Sequence, residues 1–90
     1  MKWQEKIPNG KMVAVEAQVE HGTVIKVRIT GDFFLHPEDA IHDLEKALTG
    51  LPREIKENEV VEIIREVLRH ATLIGATPED IARIFKKALL

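Results

Sequence analysis

Apolar residues occupy every second position from Val13 through Val15 and Ala17 to Val19, with Glu16, Gln18 and Glu20 between and after them. A period of two turns one face of a strand to a core and the other to water. After His21-Gly22 the alternation resumes, with Ile25, Val27 and Ile29 set against Lys26, Arg28 and Thr30. Two matched strands about a two-residue, Gly-containing turn predict a β-hairpin, in which His21 must take a positive φ. Upstream, Pro8-Asn9-Gly10 is a second turn signal. Trp3 to Ile7 is then expected to pair with the strand beginning at Lys11, completing a three-stranded antiparallel meander with one apolar face to cover.

The remainder of the chain supplies helices. Pro37 fits a first helical position with Glu38 and Asp39 at the positive end of the dipole. Ile41, Leu44, Ala47 and Leu48 follow at helical spacing up to Gly50. A polar connector through Leu51–Glu57 leads to a second apolar stripe of Val60, Ile63, Ile64, Val67, Leu68 and Ala71, expected to close at Gly75. Thr77-Pro78-Glu79-Asp80 carries an N-cap, a proline at the first position and a capping-box acid. Ile81, Ile84, Phe85, Ala88 and Leu89 give that third helix its buried side. Strands first and helices after predict an α+β fold, a three-stranded antiparallel sheet covered on one face by three helices. Residues 1–90 read as a single domain, with no internal repeat and no linker long enough to divide them.

Composition narrows the chemistry. Thirteen basic against fifteen acidic residues, a formal charge of -2, is not the signature of a nucleic-acid binder. No apolar run approaches the roughly 20 residues that span a bilayer, and Met1 to Pro8 lacks an apolar signal core, so the expectation is a cytoplasmic protein. Cysteine is absent, which removes disulfides, thiolate catalysis and Cys-ligated metals or clusters. Serine is absent too, so no Ser-His-Asp triad can form. The glycines are scattered and make no phosphate loop, and His21, His36, His42 and His70 include no pair at the i,i+4 spacing of a zinc-binding helix face. Glu38 and His42 do stand four apart, beside His36, and a weak cation site there is the metal-binding alternative to a solvated first helical turn. No catalytic, cofactor-binding or metal site is expected in this chain.

Thr30-Gly31-Asp32-Phe33-Phe34 is the most informative segment. A strand ends, Gly31 allows a sharp change of direction, and Asp32 can accept hydrogen bonds from nearby backbone amides. Consecutive Phe33 and Phe34 in extended chain point to opposite sides, one towards the core and one towards the surface, where an aromatic ring is an efficient interface anchor. Lys11, beside the Asn-Gly turn, is either solvated or directed at an anionic group on a partner.

Lys6-Ile7-Pro8-Asn9-Gly10-Lys11-Met12-Val13 resembles the K-x-P-x-G-K-hydrophobic opening of the lipoate–protein ligase C-terminal domain. Val27 to Phe34 resembles that family's signature strand and turn, and Pro37-Glu38, Leu44-Glu45, Leu48-Thr49-Gly50, Ile74-Gly75 and Thr77 to Ile81 continue in register. The resemblance implies a non-catalytic accessory domain, which in some archaeal systems is a separate polypeptide, as expected of a chain beginning at Met1. Its implied partner is a large catalytic subunit carrying ATP, Mg and lipoate, which forms lipoyl-AMP and acylates a lysine of an acceptor protein. The candidate contact residues for such a partner are those of the two turns and the residues beside them, Pro8, Gly10, Lys11, Gly31, Asp32, Phe33, Phe34 and His36. The expected fold also resembles the scaffold and sulfur-acceptor proteins of iron–sulfur assembly, whose chemistry needs the cysteines missing here. A cysteine-free adaptor is therefore the alternative reading.

Overall fold

His21 (φ 52°) and Gly22 (φ 76°) make the tight turn that the alternation predicts, and everything in the sheet follows from the register they set. The computed structural model describes residues 1–8 and 11–90. Strand β1 (Lys2–Lys6) pairs antiparallel with β2 (Met12–Glu20), which pairs antiparallel with β3 (Thr23–Gly31), in the order β1-β2-β3. Val13, Val15 and Ala17 of the central strand are buried, as their period of two requires.

One residue departs from the expected alternation. Glu20 pairs with Thr23 and Val19 with Val24, but Gln18 pairs with Lys26, leaving Ile25 as an extra residue in β3. The two-residue turn fixes Val24 opposite Val19 on the core face, while Val27 and Ile29 also need that face. An odd spacing can be accommodated only by a bulge. Val24 is therefore buried and Ile25 is 41% exposed, the reverse of the simple pattern.

Helix α1 (Ala40–Leu48) lies against β3, α3 (Pro78–Ala88) against β2 and β1, and α2 (Glu57–Val67) packs on α1 and α3. The α+β architecture with three helices on one face of the sheet is thus as expected. Leu44, Leu48, Val60, Ile64, Ile81 and the fully buried Phe85 join Val13, Val15 and Val24 in one core. The outer edge of β3 is covered by the chain that follows α1. Gly50 N–H donates to Val24 C=O at 2.7 Å, Val24 N–H donates to Leu51 C=O at 2.9 Å, and Ile29 N–H donates to the Glu45 carboxylate at 2.7 Å. Those contacts satisfy backbone groups that would otherwise template pairing with another chain.

Two helix boundaries differ from expectation. Pro37 lies outside α1, which begins at Ala40 with Asp39 as an N-cap that makes no side-chain cap bond; Pro37 follows a strand, joined to it by a cis peptide. Helix α2 ends at Val67 rather than running to Gly75, and Thr72–Ile74 forms a strand, β5. It pairs antiparallel with β4 (Phe34–His36), giving a two-stranded ribbon separate from the main sheet. The three residues Thr72–Ile74 are too few to show a period of their own, so the stripe through Leu68 and Ala71 reads on into them. The third helix starts as expected: Thr77 Oγ1 accepts from Asp80 N–H and the Asp80 carboxylate accepts from Thr77 N–H.

Candidate functional site

The site is built where β3 ends. Asp32 N–H donates to Met12 C=O at 2.9 Å, and Met12 N–H donates to Asp32 Oδ2 at 3.3 Å, so Asp32 closes the end of the β2–β3 ladder from both sides. Gly31 is required here by space rather than by its dihedrals. A Cβ on it would stand 2.4 Å from Met12 O and 3.0 Å from the Phe33 ring. The chain then enters β4, where alternation separates the aromatic pair: Phe33 is half-buried against the core, Phe34 is 55% exposed, Leu35 is buried and His36 is exposed.

Pairing with β5 completes the surface. Phe34 faces Ile74, Leu35 faces Leu73, and His36 faces Thr72. Leu73 is packed against the core with Leu35, while Ile74 is 58% exposed beside Phe34. The Phe34 and His36 rings lie parallel within 3°, centroids 6.5 Å apart. One side of the ribbon thus presents Phe34 and Ile74 together, with His36 and Thr72 beside them. Ile74 is the residue that sequence reasoning missed, because only the pairing of positions forty apart brings it next to Phe34.

Lys11 reaches the same end of the molecule. Ile7 N–H donates to Lys11 C=O at 2.8 Å, and Pro8 is exposed. Asn9 and Gly10, of the expected turn, lie outside the described residues. Gly75, which follows β5 with φ 94°, sits against Lys11 and Phe33: a Cβ there would lie 3.5 Å from Phe33 Cα and 3.6 Å from Lys11 Cγ. Lys11, Asp32, Phe33 and Phe34 are therefore brought together with Ile74 and Gly75. His36 stands at the far end of the ribbon.

The polar cluster at His36, Glu38 and His42 is not gathered into a site. His42 Nδ1 lies 3.8 Å from Glu45, whose other oxygen is held by Ile29 N–H, and among the described residues no three His, Asp or Glu side chains are grouped to hold a metal. Trp3 is exposed as well, but its indole N–H donates to Glu5 Oε1 at 3.0 Å and its ring lies 5.4 Å from Lys87 Nζ. Its polar edge and one ring face are thus engaged within the chain, and the rest of the ring is open to solvent.

Residues 1–85 match the family model described as the bacterial lipoate protein ligase C-terminus. The chain belongs to the lipoate–protein ligase C-terminal family. The chain is 31% identical over 70 residues to lipoate-protein ligase A subunit 2 of Thermoplasma acidophilum, covering 77% of this chain and 70% of that protein. It also superimposes, with a TM-score of 0.68 and 29% identity over 99% of this chain and 90% of the other, on a chain from a solved archaeal lipoylation system of that organism. That system is described as a bi-partite lipoate protein ligase and its E2 lipoyl domain. No helix of the described residues is long and apolar enough to cross a membrane.

Proposed function

We propose that this chain is the non-catalytic small subunit of a two-component lipoate–protein ligase, docking on a large catalytic subunit through the β4–β5 ribbon. The reading is carried by the exposed Phe34–Ile74 pair. Two large apolar side chains held together on a paired ribbon, rimmed by Lys11, Asp32, His36 and Thr72, have the make-up of an interface centre with a polar border. Membership of the family and likeness to a subunit of a bipartite ligase support a large ligase subunit as the partner.

ATP, Mg and lipoate belong on the large subunit in this account. The small subunit acts by binding more tightly to the partner conformation competent to form lipoyl-AMP, which shifts the partner's population towards it. The acyl group then passes to a lysine of a lipoyl-acceptor protein. Adenylation by the large subunit, measured alone and with this chain added, tests the reading. Stimulation together with a stable complex is expected. Equal adenylation in both cases, or no complex, would overturn it.

A further inference from the structure

All three helices cover the same face of the β1-β2-β3 sheet, and the opposite face carries a charge pattern of its own. The register places Lys2, Lys6, Lys26 and Arg28 on that open face, with Glu16 opposite both Lys2 and Arg28, and Glu20 at the hairpin end. All six are exposed. Among the described residues none of the four cations is held in an ion pair, whereas Arg83 and Lys87 on the helical side are bound to Glu5. The exposed acids Asp39, Asp43, Glu57, Glu59, Glu62 and Glu66 lie in the helical layer or at its entry. Lys46, Lys56, Arg65 and Arg69 are exposed among those acids, so the helical layer is mixed, while the open sheet face has four cations to two acids and is the more basic surface.

We propose that this open face receives the acyl-acceptor lipoyl domain through a carboxylate-rich surface of that domain, an inference that rests on the ligase reading above. A permanent subunit interface is generally rich in apolar area. Here the sizeable apolar side chains are few and scattered: the half-buried Met12 beside Ala14, with the exposed Met1 and the bulged Ile25 near the hairpin end. Solvated lysines on a flat sheet instead suit a partner that must arrive quickly and leave after each transfer, because such charges raise the association rate more than the lifetime of the complex. The apolar ribbon at β4–β5 is assigned to the large subunit, which leaves this face for the third protein of such a system. Glu16 in the middle of the face disfavours a phosphate backbone but can pair with a basic residue on a protein surface.

Titration of a labelled lipoyl domain from the same organism with the wild-type chain and with the Lys26→Glu/Arg28→Glu double variant tests the proposal at low and physiological salt. Wild type should bind weakly, with affinity falling as salt rises. The double variant should lose about tenfold or more at low salt, and Glu16→Gln should also bind more weakly, because a basic residue of the partner loses its counter-charge. Circular dichroism confirms that the variants are folded, and complex formation with the large subunit is followed in parallel. Equal lipoyl-domain binding by wild type and double variant would overturn the proposal, as would no binding at all. Loss of the large subunit by the double variant would place the face in the subunit interface, and preferential binding of a short oligonucleotide would assign it to nucleic acid; either overturns the proposal. Because this titration needs no adenylation, its failure is distinguishable from failure of the ligase reading, which adenylation tests separately.

Discussion

Phe34 lies directly opposite Ile74 across the β4–β5 ladder, and each presents more than half of its side chain to solvent while Leu35 and Leu73 beneath them close on the core. Such a pair contributes little to the fold itself, since a cross-strand contact at the surface is worth roughly 0.2–1 kcal/mol. Phe34→Ala should therefore lower the unfolding free energy in urea by no more than about 1 kcal/mol. A loss above about 3 kcal/mol, as for a core aromatic, would make the ring a structural element and remove the anchor of the docking reading.

Gly31 gives the opposite expectation. Its substitution by alanine drives a methyl group onto Met12 O, a backbone atom that can retreat only by disturbing the end of the β2–β3 ladder. Gly31→Ala should cost on the order of 1–3 kcal/mol in equilibrium denaturation. A nearly neutral result would mean that β3 and β2 can separate there at little cost.

The first strand and the last helix are joined by Glu5 and Arg83. Arg83 Nε and Nη2 donate to Glu5 Oε2 at 3.1 and 2.9 Å, Lys87 approaches Glu5 Oε1, and Asp80 accepts a further bond from Arg83. The bond from the Trp3 indole, reinforced by Arg83 and Lys87 and partly opposed by burial, holds the Glu5 carboxyl below the usual carboxylate range. Burial acts to lower the Arg83 pKa, but Glu5 and Asp80 outweigh it and raise it. A carboxylate with a depressed folded-state pKa adds stability that is complete above its unfolded value of about 4.3 and is lost as pH falls through the folded value. Thermal melts of wild type and Glu5→Gln should differ at neutral pH, with the gap narrowing once the pH falls below the unfolded value of about 4.3 and closing below the folded one. A gap that does not narrow at any pH below about 4.3 would contradict the linkage.

The capping box at Thr77 and Asp80 sets the start of α3, the helix that carries Phe85 into the core. Thr77→Ala should destabilise by about 1 kcal/mol and Thr77→Ser by much less. Equal losses from the two substitutions in denaturant titrations would show that the hydroxyl does not matter.

The two Pro-Glu-Asp tripeptides show what the sequence could and could not reveal. At Pro78-Glu79-Asp80 the preceding Thr77 supplies a hydroxyl to the third residue's N–H, and the helix starts there. At Pro37-Glu38-Asp39 the preceding residue is His36, which is committed to β4, and the helix waits until Ala40. The hairpin at His21-Gly22 and the apolar faces of the helices were legible because their signals are local and repeat several times. The β4–β5 ribbon was not, since two three-residue strands carry almost no periodicity and their pairing is decided by tertiary packing. The same limit hid Ile74, and the bulge that exposes Ile25 arises from a conflict between turn register and core demand. That one of Phe33 and Phe34 would reach the surface was readable from their adjacency in extended chain; which one was not.

The affinity of the large ligase subunit for this chain, measured for wild type and for a Phe34→Ala/Ile74→Ala double variant of verified fold, tests the central claim most directly. The account predicts that the double variant binds at least roughly 30-fold more weakly, the loss expected when an interface centre worth about 2 kcal/mol or more is truncated. Undiminished affinity of the double variant would contradict it.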